Sequence, residues 1–334
     1  MMAVPVVDLG DEPGAVAAAV RSACAEVGFL QVTGHGVDPV VVDRAWQAAR
    51  AFFDLPTADK LAAARRSPAD AYGYIPLEVE SLNRSLDDSA APADLKETFN
   101  MGPPQPPRRA LVDDGERWAF APTPFPPTLP ELEPALAAYF SALLDMSARM
   151  MGWFAVALGL PRDHFAALID ESPSALRVID YPHRDRPPLP GQLRAGAHTD
   201  YGTLTLLLQD DAPGGLEVLD PRTDQWTPVP AVSGAFVVNL GDLMARWTND
   251  RWRSTLHRVV NPPRDHAGST RRQSIAFFHN ANYHAVVECL PTCVEPGEAR
   301  RHAPVEAGPH LMSKFHRTVQ TEPGPRHAPG TVAP

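Results

Sequence analysis

The spacing of apolar residues predicts that helices dominate the first part of the chain. Segments 12–27 and 39–53 place Ala, Val and Phe on one face of a helix. Asp38 and Pro39 predict the start of the second helix, because an Asp side chain can cap free N–H groups and proline fits the first helical position. Between 132 and 158, apolar residues recur every three or four positions, which predicts the longest helix of the chain.

After Ser174 the apolar pattern changes to that of strands. Short β-branched and apolar runs, separated by Gly, Pro, Asp and Asn, predict strands at 175–181, 203–208, 215–219, 226–229, 235–240, 257–261 and 273–279. Two earlier strands are predicted at 4–9 and 27–33, whereas 66–130 is polar and Pro-rich and is expected to be irregular. Short strands at even spacing are typical of a sandwich or barrel. The fold is therefore expected to be mainly β with flanking helices.

These patterns divide the chain into three regions. Residues 1–130 form an N-terminal helical and irregular region, which is expected to support the β core rather than to fold independently. Residues 131–320 contain the long support helix, the strands and a C-terminal helix near 308–317. Residues 321–334 are rich in Pro and Gly, and this tail is expected to be flexible.

Composition and charge exclude several classes of function. The net charge is −10 and no run of Lys or Arg stands out, so a surface for nucleic acid or for an anionic membrane is not expected. No apolar stretch is long enough to cross a bilayer, and Met1–Leu9 lacks the order of a secretory signal. Three cysteines do not suggest a disulfide framework. The sequence thus predicts a cytoplasmic protein without a nucleic-acid or membrane partner, and it leaves the oligomeric state open.

A candidate metal site begins at His198-Thr199-Asp200. In an extended backbone, residues two apart project from the same face, so His198 and Asp200 can bind one ion. His257, on a predicted strand, could supply a third ligand, although it could equally be an ordinary buried histidine. Two His and one carboxylate leave open positions on an octahedral ion, which suits an Fe(II) that must bind O2 and a co-substrate.

A candidate anion site follows in Arg272-Gln273-Ser274. By the same period of two, Arg272 and Ser274 face one way, into the predicted apolar barrel. A buried guanidinium needs an anion, and an Arg fork with a hydroxyl suits a carboxylate such as the distal carboxylate of 2-oxoglutarate. The alternative is that Arg272 or its neighbour Arg271 pairs with an internal Asp or Glu.

The complete set of motifs resembles the isopenicillin N synthase-like 2-oxoglutarate/Fe(II) dioxygenases. The resemblance runs from about residue 4 to residue 318, and it is carried by these segments: Val4–Leu9, Gly28-Phe29, Gly34-His35-Gly36, Phe52-Phe53, Lys96-Glu97-x-Phe99, His198-Thr199-Asp200-x-Gly202, Gly241-Asp242-Leu243, Trp247–Asp250, His257-Arg258-Val259 and Arg272-x-Ser274. It implies a double-stranded β-helix, a jelly-roll or cupin-like core, with an N-terminal helical region.

The resemblance also implies roles for individual residues. His198, Asp200 and His257 would bind Fe(II), and Arg272 and Ser274 would bind the C5 carboxylate of 2-oxoglutarate. Tyr181 aligns with a tyrosine that helps to bind that carboxylate in many members. Four residues are candidate substrate contacts by their place in the family or beside the Arg272 strand: Glu97, Asn100, Phe278 and Asn280.

The implied function is an Fe(II)- and 2-oxoglutarate-dependent dioxygenase that consumes O2. It would oxidise an unactivated C–H bond of a small molecule by hydroxylation, desaturation or cyclisation, releasing succinate and CO2. The bias of Arg over Lys suggests a GC-rich bacterial genome, and hence bacterial secondary metabolism. Two alternatives remain open: an isopenicillin N synthase-type Fe(II) oxidase that does not use 2-oxoglutarate, and a non-catalytic ligand-binding protein on the same scaffold.

Overall fold

The computed structural model describes residues 3–85 and 92–319, and it contains two facing sheets, a separate two-stranded sheet and several helices. The strands are β1 Val6–Asp8, β2 Phe29–Thr33, β3 Gly73–Ile75, β4 Glu97–Met101, β5 Ala175–Tyr181, β6 Ala195–His198, β7 Leu204–Gln209, β8 Leu216–Asp220, β9 Gln225–Pro228, β10 Phe236–Leu240, β11 His257–Val259, β12 Arg272–His279, β13 Val286–Val287 and β14 Val305–Glu306. The predicted tail, 321–334, lies outside the described residues.

Helices cover the chain between these strands. They are α1 Pro13–Glu26, α2 Pro39–Asp54, α3 Thr57–Leu61, α4 Asp114–Ala119, α5 Leu132–Ala157, α6 Ala166–Ile169, α7 Asp242–Trp247 and α8 Ala307–Val319, with short 3-10 turns at Leu82–Ser85 and Pro291–Cys293. The Asp38 carboxylate accepts a hydrogen bond from the N–H of Val40, so α2 begins as its sequence predicted. Among the described helices, none is both long and apolar enough to span a membrane.

The larger sheet has eight strands, in the order β1-β2-β10-β7-β12-β5-β4-β3. Four of these strands come from the first 130 residues. Strands β1 and β2 were predicted, but β3 and β4 lie in the segment that was expected to be irregular. The Pro-rich surroundings hide both, and β4 gives no alternating signal because all five of its residues are buried. The N-terminal region therefore builds both edges of the central sheet.

The smaller sheet, β6-β11-β8-β9, packs against one face of the larger sheet. Ile179 and Tyr181 of the larger sheet meet Ala195 and Val259 of the smaller one in an apolar cluster. On the opposite face, α5 packs against β12 through an edge-on contact of Phe140 with Phe277, whose ring centres are 4.9 Å apart. This arrangement leaves a cavity between the two sheets, bounded by α4, α8 and the turn at Leu82–Ser85.

Candidate active site

Three candidate metal ligands converge at the small sheet. His198 ends β6, His257 begins β11, and the two residues lie directly opposite each other in register. Asp200 Oδ1 lies 3.9 Å from His198 Nε2 and 3.8 Å from His257 Nε2. One ligand atom from each residue lies within 4.8 Å of the other two. The three side chains can therefore coordinate a single ion.

Backbone carbonyls orient both imidazoles. His198 Nδ1 lies 2.8 Å from the Gly196 carbonyl, and His257 Nδ1 lies 3.1 Å from the Thr255 carbonyl. Since a carbonyl only accepts hydrogen bonds, each Nδ1 must donate, which leaves each Nε2 lone pair facing Asp200. Burial and the neighbouring His257 lower the pKa of His198 to about 3, so this imidazole is neutral, as a metal ligand must be.

The Asp200 carboxylate is held by two short hydrogen bonds. Its Oδ2 accepts from Thr205 Oγ1 and from Asn239 Nδ2, each at 2.6 Å, and its Oδ1 is left for the ion. Burial alone would raise the pKa of Asp200, but the two histidines and these hydrogen bonds outweigh it and keep the pKa below its ordinary value. The cluster therefore presents two imidazole nitrogens and one carboxylate oxygen to a single site.

Close packing against β12 explains why the His-x-Asp-x-Gly spacing ends in a glycine, Gly202. A Cβ atom at this position would lie 2.3 Å from the carbonyl oxygen of His279, at the end of β12. The neighbouring Thr203 donates its N–H to that same carbonyl at 2.9 Å. Only a glycine lets the turn after Asp200 pack this closely against β12, which fixes the metal ligands relative to the larger sheet.

Strand β12 presents two buried polar atoms to the cavity that have no hydrogen-bond partner among the described residues. Arg272 is 1% exposed, and its Nη2 donates to Gln209 Oε1 at 2.7 Å. Among the described residues, Arg272 Nη1 and Ser274 Oγ are buried without a hydrogen-bond partner. The guanidinium lies 5.1 Å from the centre of the Tyr181 ring. A carboxylate placed here would meet both donors, whereas leaving them unpaired costs about 1–3 kcal/mol each.

The two neighbouring arginines of this strand have different partners. Arg271 donates to Asp180 Oδ1 at 2.7 Å and also pairs with Asp54. For Arg272, the nearest carboxylate contact is Asp210 Oδ1, 3.9 Å from Nε. The internal ion pair considered from the sequence therefore exists at Arg271, and Arg272 keeps donors for another anion. The residues present thus fit both an Fe(II) ion and a 2-oxoglutarate molecule.

Three of the four substrate candidates line the cavity: Asn100, Phe278 and Asn280. Glu97, the fourth candidate, is not among the residues that line the cavity. Its carboxylate accepts from Lys60 Nζ at 2.8 and 3.0 Å and from the Tyr74 hydroxyl. Residues alternate along β4, so Asn100 faces the cavity while Glu97 points to the opposite side.

The sequence did not indicate several other cavity residues. Arg177 lines the cavity from β5, on the same face as Tyr181. The period of two that places Tyr181 could have identified Arg177 as well. Glu80 and Trp118 also line the cavity, but they come from the irregular segment, where no periodic pattern predicts which way a side chain points.

Comparison with known families agrees with this geometry. Two family models match the chain: "non-haem dioxygenase in morphine synthesis N-terminal" at residues 4–126 and "2OG-Fe(II) oxygenase superfamily" at residues 172–281. A 2-oxoglutarate-Fe(II) type oxidoreductase, hxnY of Emericella nidulans, is 33% identical over 86% of this chain and 80% of its own length. The chain belongs to the 2OG-Fe(II) oxygenase superfamily.

Further relatives and solved structures support this membership of the superfamily. Validamycin A dioxygenase of Streptomyces hygroscopicus subsp. limoneus is 33% identical over 93% of this oxygenase and 85% of its own length. The crystal structure of a full-length Neurospora crassa protein in complex with alpha-KG is 28% identical, with a TM-score of 0.81 over 94% of this chain and 96% of that one. The predicted double-stranded β-helix and the predicted class, a non-haem dioxygenase that uses Fe(II) and 2-oxoglutarate, are confirmed.

Proposed function

We propose that this oxygenase oxidises an unactivated C–H bond of a small molecule, with His198, Asp200 and His257 holding the iron. In this proposal Arg272 and Ser274 bind the C5 carboxylate of 2-oxoglutarate, beside the ring of Tyr181. One observation carries the assignment: two buried polar groups, which have no hydrogen-bond partner among the described residues, lie in the same cavity as a cluster of two imidazoles and a carboxylate.

Fe(II), when bound with 2-oxoglutarate and O2, supplies the oxidising chemistry, which releases succinate and CO2 and hydroxylates, desaturates or cyclises the substrate. The residues of the chain provide position and shielding. The carbonyls of Gly196 and Thr255 fix the imidazoles, while Thr205 and Asn239 fix the carboxylate. Apolar walls from both sheets keep bulk water away from the reacting atoms.

The proposed substrate is a small organic molecule of secondary metabolism. Apolar and aromatic side chains make up most of the cavity wall, as is usual for sites that bind small molecules. One relative is named as a dioxygenase of validamycin A, and a second structure of the Neurospora crassa protein, with 29% identity and a TM-score of 0.79, contains thymine. Both ligands are small molecules, which supports this size class for the chain.

An anaerobic titration with Fe(II) and 2-oxoglutarate tests the residue assignments. Chelation of iron by the 2-oxo acid gives a visible charge-transfer band, which we expect in the wild-type protein. We expect no band in His198→Ala, because one of three ligands is lost. His266→Ala, which removes an exposed histidine, serves as the matched control and should give the wild-type band. A band of unchanged intensity in His198→Ala would contradict the assignment.

A turnover assay tests the dependence on 2-oxoglutarate. Succinate and CO2 should form only when 2-oxoglutarate is supplied, and with substrate present they should form in proportion to the oxidised product. Full substrate oxidation without 2-oxoglutarate would favour the isopenicillin N synthase-type reaction instead.

A further inference from the structure

The cavity contains a second basic group, Arg177, far from the proposed 2-oxoglutarate site. Arg177 and Tyr181 share one face of β5 and are four residues apart, which is about 13 Å along a strand. The five carbons of 2-oxoglutarate cannot span that distance while also chelating a metal at the triad. Arg177 therefore does not belong to the proposed 2-oxoglutarate site.

The contacts of Arg177 aim its guanidinium at the cavity. Its Nε donates to Asn100 Oδ1 at 2.8 Å, and Asn100 lies opposite it in the β4–β5 register. Its Nη1 and Nη2 lie 3.3 and 3.5 Å from the two carboxylate oxygens of Glu80. Charge-assisted bonds are ordinarily about 2.7–2.9 Å, and the Arg258–Glu217 pair reaches 2.7 Å. The Arg177–Glu80 pair is therefore loose.

Glu80 also serves more than one cation. Lys96 Nζ lies 3.8 Å from it, and Lys96 pairs more closely with Asp94, at 2.9 Å. Burial raises the pKa of Glu80, but Arg177, Lys96 and Arg65 outweigh this effect and keep the pKa below its ordinary value. The carboxylate is thus ionised and shared among three positive groups, so it neutralises Arg177 only in part.

The charges that line the cavity support the same conclusion. Among the described residues, the acidic side chains of the lining are Glu80 and Asp200, and the basic ones are Arg65, Lys96, Arg177 and Arg272. Asp200 is assigned to the metal and Arg272 to 2-oxoglutarate, while Lys96 has its partner Asp94 behind the wall. Arg177 therefore faces the cavity with Glu80 as its carboxylate partner, held at 3.3–3.5 Å, in a setting where a partly compensated charge is costly.

The wall between Arg177 and the metal cluster is apolar. Ala276 lies opposite Arg177 on β12, and Phe278 follows two residues later on the same face. Trp118 and Phe315, whose ring centres are 4.9 Å apart, close the neighbouring side. We propose that the substrate carries a carboxylate, which Arg177 and Asn100 bind, on an apolar body that packs against Phe278. This inference rests on the proposed function, since it concerns the same cavity.

Binding of matched probes tests this proposal. The probes are benzoate, phenylacetate and 3-phenylpropanoate, each with its primary amide, added without O2 to the protein loaded with Fe(II) and saturating 2-oxoglutarate. We expect at least one carboxylate to bind about tenfold or more tightly than its amide, because one charge-assisted bond contributes about 1.5–3 kcal/mol. Calorimetry gives the affinities, and the charge-transfer band reports whether 2-oxoglutarate stays bound.

Two variants should change the affinity in opposite directions. Arg177→Gln should abolish the preference for the carboxylate, whereas Glu80→Gln should raise the affinity for it by removing a competing anion. Arg184→Gln is the matched control, because Arg184 pairs with Glu78 and does not line the cavity. It should keep the wild-type preference.

Three results would overturn the proposal. They are equal or stronger binding of the amides, no binding of any carboxylate up to about 10 mM, and loss of the charge-transfer band when a carboxylate binds, which would place the probe in the 2-oxoglutarate site. A missing band before any probe is added would instead contradict the proposed function. The two failures are therefore distinguishable, and the wild-type comparison does not depend on the folding of any variant.

Discussion

Adjacent residues of one strand can have unrelated roles, and Arg271 and Arg272 show how. Arg271 is partly exposed and is neutralised by Asp180 and Asp54, while Arg272 is buried and its Nη1 has no acceptor in the part of the chain that the structure describes. The backbone alternates its two faces, so the first arginine joins the network near α2 and the second enters the cavity. The same chemical group thus contributes to stability at one position and to binding at the next.

This contrast gives a prediction for 2-oxoglutarate binding. Arg272→Gln should raise the Kd for 2-oxoglutarate about 10- to 100-fold, since a charge-assisted bond of about 1.5–3 kcal/mol is lost. Arg271→Gln, the control, should leave that Kd within about twofold. The titration of the charge-transfer band measures both, and equal effects of the two variants would contradict the assignment of Arg272.

A second residue-scale prediction concerns His279, which is buried beside Thr203. Burial lowers its pKa to about 3 from an ordinary value of 6.5. Below pH 6.5 His279 binds a proton in the unfolded chain but stays neutral in the folded chain. The free energy of unfolding that this difference contributes is therefore fully present above pH 6.5 and is lost as the pH falls toward 3. The free energy of unfolding falls by up to about 1.4 kcal/mol per pH unit, so the loss at pH 5 is about 2 kcal/mol.

Urea unfolding at pH 7.5 and pH 5 measures this effect. The wild type should lose about 2 kcal/mol more than His279→Gln between the two pH values. His266→Gln, at an exposed loop position, should behave as the wild type does. If His279→Gln shows the same pH dependence as the wild type, this histidine is not the group responsible.

At the scale of elements, the two faces of β4 have different roles: one face contributes to stability and the other lines the cavity. Glu97 on one face holds Lys60 and Tyr74, and Asn100 on the other face lines the cavity beside Arg177. Breaking a buried ion pair by removing one partner typically costs about 3–5 kcal/mol, although Lys60 and Glu97 keep side-chain exposures of 10% and 11%. The cost at Glu97 should therefore lie at the lower end of that range.

This separation predicts two distinct phenotypes. Glu97→Gln should lower the free energy of unfolding by about 3 kcal/mol and leave binding of the aromatic carboxylates unchanged. Asn100→Ala should weaken that binding while it costs about 1 kcal/mol of stability. Urea unfolding and calorimetry on both variants measure the two effects, and a loss of carboxylate binding in Glu97→Gln alone would return Glu97 to the substrate site.

The elements also show how far the sequence could be interpreted. Strand β5 and helix α5 were predicted almost to the residue, because their apolar spacing is regular and local. Strand β4 was missed because three of its five residues are polar, and Lys60 and Arg177, which satisfy Glu97 and Asn100, lie 37 and 77 residues away. Strand β6 was also missed, since Ala and Gly favour strands weakly and pairing with β11 holds it in place.

Some residues of the candidate site could likewise be identified from the local sequence, and others could not. The His-x-Asp and Arg-x-Ser pairs follow from a period of two within a few residues, so they could be identified locally. Which face of β4 meets the cavity depends on its pairing with β5, and no local pattern shows that. The sequence therefore could not show that Glu97 and Asn100 lie on opposite faces of β4, and it did not indicate Glu80.

At the scale of the molecule, the N-terminal and C-terminal regions share one sheet. Strand β2 pairs with β10, and β4 pairs with β5, so residues 1–130 flank the core on both sides. Helices α1 and α2 also pack on α5. We propose that the regions 1–130 and 131–320 are parts of one folding unit rather than separable domains.

A truncation tests this proposal. Residues 131–319 alone would expose two sheet edges and the apolar face of α5, and such edges favour aggregation. We expect this fragment to aggregate or to unfold without a cooperative transition, with strong binding of a hydrophobic dye. Residues 1–319, which keep every described element, should unfold in one transition. A soluble, cooperatively unfolding 131–319 would show that the second region is independent.

The placement of Tyr181 and Arg177 on one rigid strand has a consequence for selectivity. Strand β5 pairs with β4 on one side and with β12 on the other, so it holds a fixed length between the residue proposed to bind the co-substrate and the residue proposed to bind the substrate. In this proposal, that fixed length determines which carbon of the bound substrate reaches the reacting centre. Moving the arginine from position 177 to position 175 or 179 shifts the anchor by about 7 Å, and regiochemistry would change while the cofactor chemistry stays the same.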